Sequence, residues 1–188
     1  SDVVVAGKVC LDAGASTGGF TDVLLRQGAK KVIAVDVGYG QLAWELRQDE
    51  RVVILDRTNI RHLTGEMVGE DVEIVVADLS FISLSLVLPA LAAVSKPSAD
   101  FLLMVKPQFE VGRERLGAGG VVRDPALRRS AVLDVAQSAY DVGLGTMGIA
   151  ASPLPGPAGN VEYFLWLRRG APAIDESALD RAIEMGPA

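Results

Sequence analysis

The sequence predicts an α/β fold, a doubly wound and mostly parallel seven-stranded sheet that ends in an antiparallel strand pair. Three observations predict it. Short aliphatic runs alternate with helix-length segments, and most runs are apolar throughout, as strands covered on both faces are. The first five runs stop at Asp12, Asp36, Asp56, Asp78 and Lys106. The last two runs have no helix between them, which suits antiparallel pairing.

In chain order, residues 9–11 are the first strand. Residues 20–27 carry apolar side chains at Phe20, Val23 and Leu24 and form a helix closed by Gly28. Residues 32–35 are the second strand, residues 41–47 a short helix, residues 52–55 the third strand and residues 72–77 the fourth. Residues 83–95 read as a buried helix kinked at Pro89. Residues 101–105 are the fifth strand. Residues 107–124 hold glycines at 112, 117, 119 and 120 without a clear period, the mark of a binding loop, a lid or disorder. Residues 125–142 are a long helix with Pro125 in its first turn, Asp124 as cap and Gly143 as stop. Residues 147–151 and 161–167 are the sixth and seventh strands, joined by a stiff connection with prolines at 153, 155 and 157. Residues 175–185 are a last amphipathic helix. No repeat or second domain is visible, so residues 1–188 read as one domain.

Composition narrows the function classes. Apolar residues make up 49% of the chain, enough for a substantial core. No apolar run reaches the ~18–20 residues of a membrane span, and no signal peptide is visible. The single cysteine, Cys10, lies in the first strand and reads as core. These features point to the cytoplasm. A net charge of −6 argues against a general nucleic-acid coat. Yet Lys106, Arg113, Arg115, Arg123, Arg128 and Arg129 outnumber Glu110, Glu114 and Asp124 within one window. That window is either a solvated face or a patch that meets phosphates. His62 has no partners at metal-ligand spacing, and no metal is expected.

The chemistry centres on Asp12-x-Gly14-x-x-x-Gly18-Gly19, a strand-turn-helix whose small residues let a ligand approach the backbone. Gly14-x-Ser16-x-x-Gly19 matches the nicotinamide fingerprint with one departure, and Asp36 is placed to hold a ribose. S-adenosylmethionine enzymes use the same turn and the same second-strand acid. Their cofactor is a cation without a pyrophosphate. Four aspartates at strand ends favour that cation on electrostatic grounds.

Five segments carry a resemblance. They are Asp12-Ala13-Gly14-Ala15-Ser16-Thr17-Gly18-Gly19-Phe20, Asp36-Val37-Gly38-Tyr39-Gly40-Gln41-Leu42, Ala77-Asp78-Leu79-Ser80-Phe81-Ile82-Ser83, Val105-Lys106-Pro107-Gln108-Phe109-Glu110, and Ser152-Pro153-Leu154-Pro155-Gly156-Pro157 with Gly159-Asn160-Val161-Glu162-Tyr163-Phe164. Together they resemble the TlyA-like branch of the FtsJ-like ribosomal RNA 2′-O-ribose methyltransferases, over nearly the whole chain. The resemblance implies an S-adenosylmethionine-dependent enzyme that methylates a ribose 2′-hydroxyl, expected on a cytidine. Its partner would be ribosomal RNA or a ribosomal subunit. Of the family's Lys-Asp-Lys-Glu tetrad, Asp78, Lys106 and Glu162 match the last three members as catalytic residues. The family's first lysine and its small N-terminal RNA-binding domain lie ahead of the glycine turn, so the chain reads as a catalytic domain without that arm.

The same resemblance distributes the remaining roles. Gly14, Ala15, Ser16 and Gly18 would face the methionine part of the cofactor and Asp36 its ribose. Gln41 and Leu42 would lie near the ribose and the adenine edge, and Thr58 and Asn59 near the adenine. For Thr58 and Asn59 a helix-cap role is the alternative. Asp12, Gly19, Phe20 and Asp78 complete the cofactor set. Phe81 is placed to stack on a substrate base, with a core role as the alternative, and from the basic window Arg113, Arg115, Arg123, Arg128 and Arg129 are candidates for RNA backbone contacts. Two rival functions follow from the residues and the family's labels: a nicotinamide-dependent oxidoreductase and a membrane-active haemolysin-like protein. The chain offers the second neither a spanning segment nor a strongly basic amphipathic helix.

Overall fold

The computed structural model describes residues 3–187. The apolar runs become β1 (Val9–Ala13), β2 (Lys31–Val35), β3 (Val52–Leu55), β4 (Val72–Ala77), β5 (Ser95–Val105), β6 (Leu144–Ala151) and β7 (Tyr163–Arg169). They form one sheet in the order β3-β2-β1-β4-β5-β7-β6. β1 runs parallel to β2 and β4, and β2 runs parallel to β3. β6 and β7 pair antiparallel, with a register shift between Thr146 and Gly148. The fold class and the terminal antiparallel pair are as the sequence predicts. Contacts divide the chain into two compact units. One runs to Leu79 and adds Val87–Phe101; the other holds Ser80–Leu86 and everything from Leu102.

In the first unit, the chain turns away from β1 to β2 on one side and to β4 on the other. That reversal is the switch point where open α/β sheets take ligands. All five β1 residues are buried. Cys10 is fully buried there, and burial pushes its thiol up to about 12, so it serves the core. Helix α1 (Gly19–Arg26) follows the glycine turn and closes at Gly28, whose N–H returns to the Leu25 carbonyl at 3.0 Å.

Two helices are shorter than predicted. The segment expected as a helix over 41–47 winds only at α2 (Trp44–Arg47), because Ala43 is extended and donates its N–H to the Thr17 carbonyl at 3.0 Å. After a one-turn α3 (Gly65–Val68), the expected helix over 83–95 breaks into a 3₁₀ turn, Leu84–Leu86, and α4 (Leu88–Ala93). Pro89 does not kink a continuous helix. Having no N–H and a ring that clashes four residues back, it sits in the first turn of α4.

In the second unit, the glycine-rich segment is not structureless. It opens with α5 (Pro107–Glu110) directly after Lys106 and continues through two 3₁₀ turns, Arg113–Arg115 and Ala118–Gly120. Asp124 accepts the Ala126 N–H at 2.8 Å and caps α6 (Pro125–Asp141). Asp175 accepts the Ser177 N–H at 2.9 Å and caps α7 (Glu176–Glu184). β6 starts three residues earlier than predicted. Its Gly145 is required: a Cβ there would run into the carbonyls of Ala171 and Pro172, where the chain leaving β7 crosses the strand. Glu162, expected inside the seventh strand, immediately precedes it.

Candidate active site

The glycine turn in the first unit is built by hydrogen bonds that converge on β2. Gly14 and Ala15 donate their N–H groups to the Val35 carbonyl at 2.9 and 3.1 Å. Ser16, with φ 50, donates its N–H to Asp36 Oδ2 at 2.8 Å, and Gly38 donates to Asp36 Oδ1 at 2.8 Å. Asp36 therefore fixes two loops at once, and each of its oxygens keeps acceptor capacity for a ligand hydroxyl. Gly14 has φ 84, and a Cβ on it would collide with the Asp78 backbone carbonyl. The Asp78 N–H in turn reaches the Ala13 carbonyl at 3.0 Å. These constraints bring the sequence-predicted Asp12, Gly14, Ser16, Asp36 and Asp78 into one place.

Asp12 is 1% exposed. Its Oδ2 accepts the Thr21 hydroxyl at 2.7 Å, while Oδ1 is buried with no hydrogen-bond partner among the described residues. Burial raises the carboxyl to about 6; the Thr21 hydrogen bonds oppose that rise, and the charges of Asp78 and Asp36 add to it. A buried acid with an orphaned oxygen, repelled by the half-buried Asp36 and Asp78, is suited to a cationic ligand. Thr21, which orients Asp12, escaped the sequence reading. Its signal is a hydroxyl in the first turn of a helix, nine residues after the acid.

Other predicted cofactor residues resolve differently. Gly18 serves as the left-handed start of α1, with φ 103 and no side-chain cap. Gly19 and Phe20 open the same helix. The Gln41 carboxamide lies over Gly38, near Asp36. Leu42 is buried with Ala15, Ala34, Leu46, Val52 and Ile54, so its side chain fills the core beneath the turn. Asn59 takes the alternative role of cap, its Oδ1 accepting the Arg61 N–H at 3.0 Å at the head of the Ile60–His62 turn. Thr58 is buried and binds its own loop, its N–H to the Asp36 carbonyl at 2.9 Å and its hydroxyl to the Asp56 carbonyl at 3.0 Å.

The second unit contains a cavity of about 770 Å³ lined by Lys106, Glu162, Gln108, Phe81, Phe109 and Arg113, among others. Lys106 follows β5 and donates from Nζ to Ser80 Oγ at 3.2 Å. Glu162 is 6% exposed, and its Oε1 receives the Gln108 amide at 3.4 Å. Phe81 is 91% exposed and left-handed, with φ 66. Its ring lies 5.0 Å from that of Phe109. An exposed phenylalanine in a strained conformation is unusual for a residue with only a structural job. Ser80, Gln108 and Phe109 lay within the motif segments, but side-chain type alone gave them no role.

The predicted arginines divide. Arg113 lines the cavity. Arg115 and Arg123 are exposed and bind loop carbonyls, at Val111 (2.7 Å) and Ala118 (3.4 Å). Arg128 is half-buried and binds the Arg123 carbonyl at 3.3 Å. Arg129 is committed elsewhere: Nε meets Asp180 and Nη2 meets Glu176, each at 2.6 Å, tying α6 to α7. Its guanidinium is thus held by two carboxylates of α7.

The family model for FtsJ-like methyltransferases matches residues 2–169. The 16S/23S rRNA (cytidine-2′-O)-methyltransferase TlyA of Mycobacterium tuberculosis is 60% identical over 190 residues, covering 98% of this chain and 71% of the relative. Hemolysin A of Brachyspira hyodysenteriae is 40% identical over 162 residues, covering 86% of this chain and 68% of the relative. A solved structure from Streptococcus thermophilus that carries the hemolysin label superposes with a TM-score of 0.93 at 39% identity, covering 97% of this chain and 67% of that one. Among the described residues no helix is long and apolar enough to cross a membrane.

Proposed function

The chain belongs to the FtsJ-like methyltransferase family, and on that premise we propose that it transfers a methyl group from S-adenosylmethionine to the ribose 2′-hydroxyl of a cytidine in ribosomal RNA. The observation that carries this reading is the cavity in which Lys106 and Glu162 lie beside the exposed Phe81. The nicotinamide alternative is disfavoured by charge, because Asp12 with Asp36 and Asp78 beside it would repel an anionic pyrophosphate.

Asp12, Gly14, Ser16 and Asp36 would hold the cofactor, with Asp78 beside them. The Gly14 cradle and the orphaned Asp12 oxygen suit an adenosine carrying a positive charge. S-adenosylmethionine supplies the electrophilic methyl when bound. The chain's own task is to present the hydroxyl, a poor nucleophile at neutral pH. Phe81 stacks on the substrate base and orients the nucleotide, with Arg113 near its phosphate. Lys106 stabilises the charge that grows on the hydroxyl oxygen as the methyl group transfers and the proton passes to solvent water. Ser80 fixes the direction of the Lys106 ammonium. Glu162, steadied by Gln108, orients the hydroxyl against Lys106. Ribosomal RNA or a ribosomal subunit is the substrate, in the cytoplasm.

Lys106→Ala tests this assignment. Tritium transfer from labelled S-adenosylmethionine to ribosomal subunits is expected to fall by at least about 10³-fold, the size of effect seen when a charge-stabilising group is removed. Circular dichroism and cofactor affinity should stay at wild-type values. Retained transfer would remove Lys106 from the mechanism.

A further inference from the structure

Lys106 and two residues of α5, Gln108 and Phe109, each hold a different part of the cavity. Lys106 reaches Ser80, Gln108 reaches Glu162, and the Phe109 ring meets that of Phe81. Glu110, the last residue of α5, is not among the cavity's lining residues. Its carboxylate turns to the segment that carries Ser80 and Phe81. Oε2 accepts the Ser83 hydroxyl at 2.6 Å and Oε1 accepts the Leu84 N–H at 2.9 Å. Ser83 Oγ in turn accepts the Ser85 N–H at 3.2 Å. The Leu84–Leu86 turn thus has its first two N–H groups satisfied by one carboxylate and the hydroxyl bound to it.

We infer that Glu110 is a positioning residue for the methyl-transfer site, holding the Ser80–Phe81 turn in register with Lys106. This rests on the methyltransferase reading above. The need for such a clamp follows from the backbone. Phe81 occupies the left-handed region with its ring 91% exposed, so little packing of its own keeps it there. Two residues on, Glu110 anchors the chain to the helix that begins next to Lys106. Without the clamp, Phe81 relaxes to an ordinary φ, its ring leaves Phe109, and Ser80 leaves the Lys106 ammonium. Burial raises the Glu110 carboxyl and the Asp134 charge adds to that rise, while the Ser83 and Leu84 bonds oppose it.

The test compares Glu110→Ala with Glu110→Gln on ribosomal subunits and adds amide hydrogen exchange. Glu110→Gln keeps an acceptor for the Leu84 N–H and a partner for the Ser83 hydroxyl. It should stay within about threefold of wild type in kcat/KM, whereas Glu110→Ala should lose at least about tenfold, mostly in kcat. The KM for S-adenosylmethionine should not move. Exchange at Leu84 and Ser85 should quicken by at least about tenfold in Glu110→Ala, with the β6–β7 amides unchanged. In a Phe81→Ala background, Glu110→Ala should add no more than about twofold, because both act through one turn. Losses that multiply in the double variant overturn the inference. So does a Glu110→Ala enzyme of wild-type activity whose Leu84 amide exchanges freely, which would make the clamp merely structural. A wild-type protein that transfers no methyl would defeat the methyltransferase reading, while the exchange arm would still decide whether Glu110 holds the turn.

Discussion

Asp12→Asn should remove a defined part of the protein's pH dependence. In the folded chain burial raises the Asp12 carboxyl from its ordinary 3.8 to about 6. Below pH ~4 the group is protonated in both folded and unfolded chains and contributes nothing. Between those two values the unfolded chain gives up the proton and the folded chain keeps it, so stability falls as pH rises. Above about 6 the loss is complete, worth about 3 kcal/mol at ~1.36 kcal/mol per pH unit. The asparagine carries a separate penalty of about 1–3 kcal/mol, since its amide donor enters a buried site where Thr21, a hydroxyl donor, is the side-chain partner among the described residues. That penalty is the same at every pH and cancels in a difference. Urea unfolding of both proteins at pH 4 and pH 7.5 therefore gives the measurement. The stability of the variant relative to wild type should improve by about 2 kcal/mol between the two pH values, since part of the loss is already present at pH ~4. Parallel pH curves would refute the claim that the folded protein holds Asp12 in a buried, charge-averse setting.

Two further outcomes follow from backbone geometry. Gly14→Ala puts a Cβ into the Asp78 carbonyl at a residue with φ 84, and should cost about 2–4 kcal/mol in urea unfolding while abolishing calorimetric heat with S-adenosylmethionine. Phe81→Gly relieves a left-handed side chain that is almost wholly exposed. Its stability should lie within about 1 kcal/mol of wild type, while methyl transfer to ribosomal subunits falls by at least about tenfold.

The fold was legible in the sequence because apolar runs with polar stops are a strong signal for a doubly wound sheet. Asp124 and Asp175 were equally readable, since a cap followed by an amphipathic stretch is a local pattern. What escaped depended on partners remote in sequence. The packing of Leu42 against Ala15 and Ala34, from the glycine turn and β2, was not visible in its motif. Arg129 read as part of a basic patch, and its pairing with Glu176 and Asp180, about fifty residues away, was not visible. Pro89 was read as a kink, yet it stands in the first turn of a new helix that follows a separate 3₁₀ turn. At the site, Lys106 and Glu162 were identifiable by the motif they share with a family. Ser80, Gln108 and Glu110 were not, because a serine, an amide and a surface-type acid acquire roles only from the atoms they meet.

The central claim is ribose methylation of ribosomal RNA, and nucleoside analysis tests it most directly. Unmodified ribosomal subunits are incubated with the protein and deuteromethyl-labelled S-adenosylmethionine, and the RNA is digested to nucleosides and resolved by mass spectrometry. The account predicts labelled 2′-O-methylcytidine, absent when Lys106→Ala replaces the wild type. Label on a nucleobase, or no incorporation by wild-type protein that binds both the cofactor and the subunits, would contradict it.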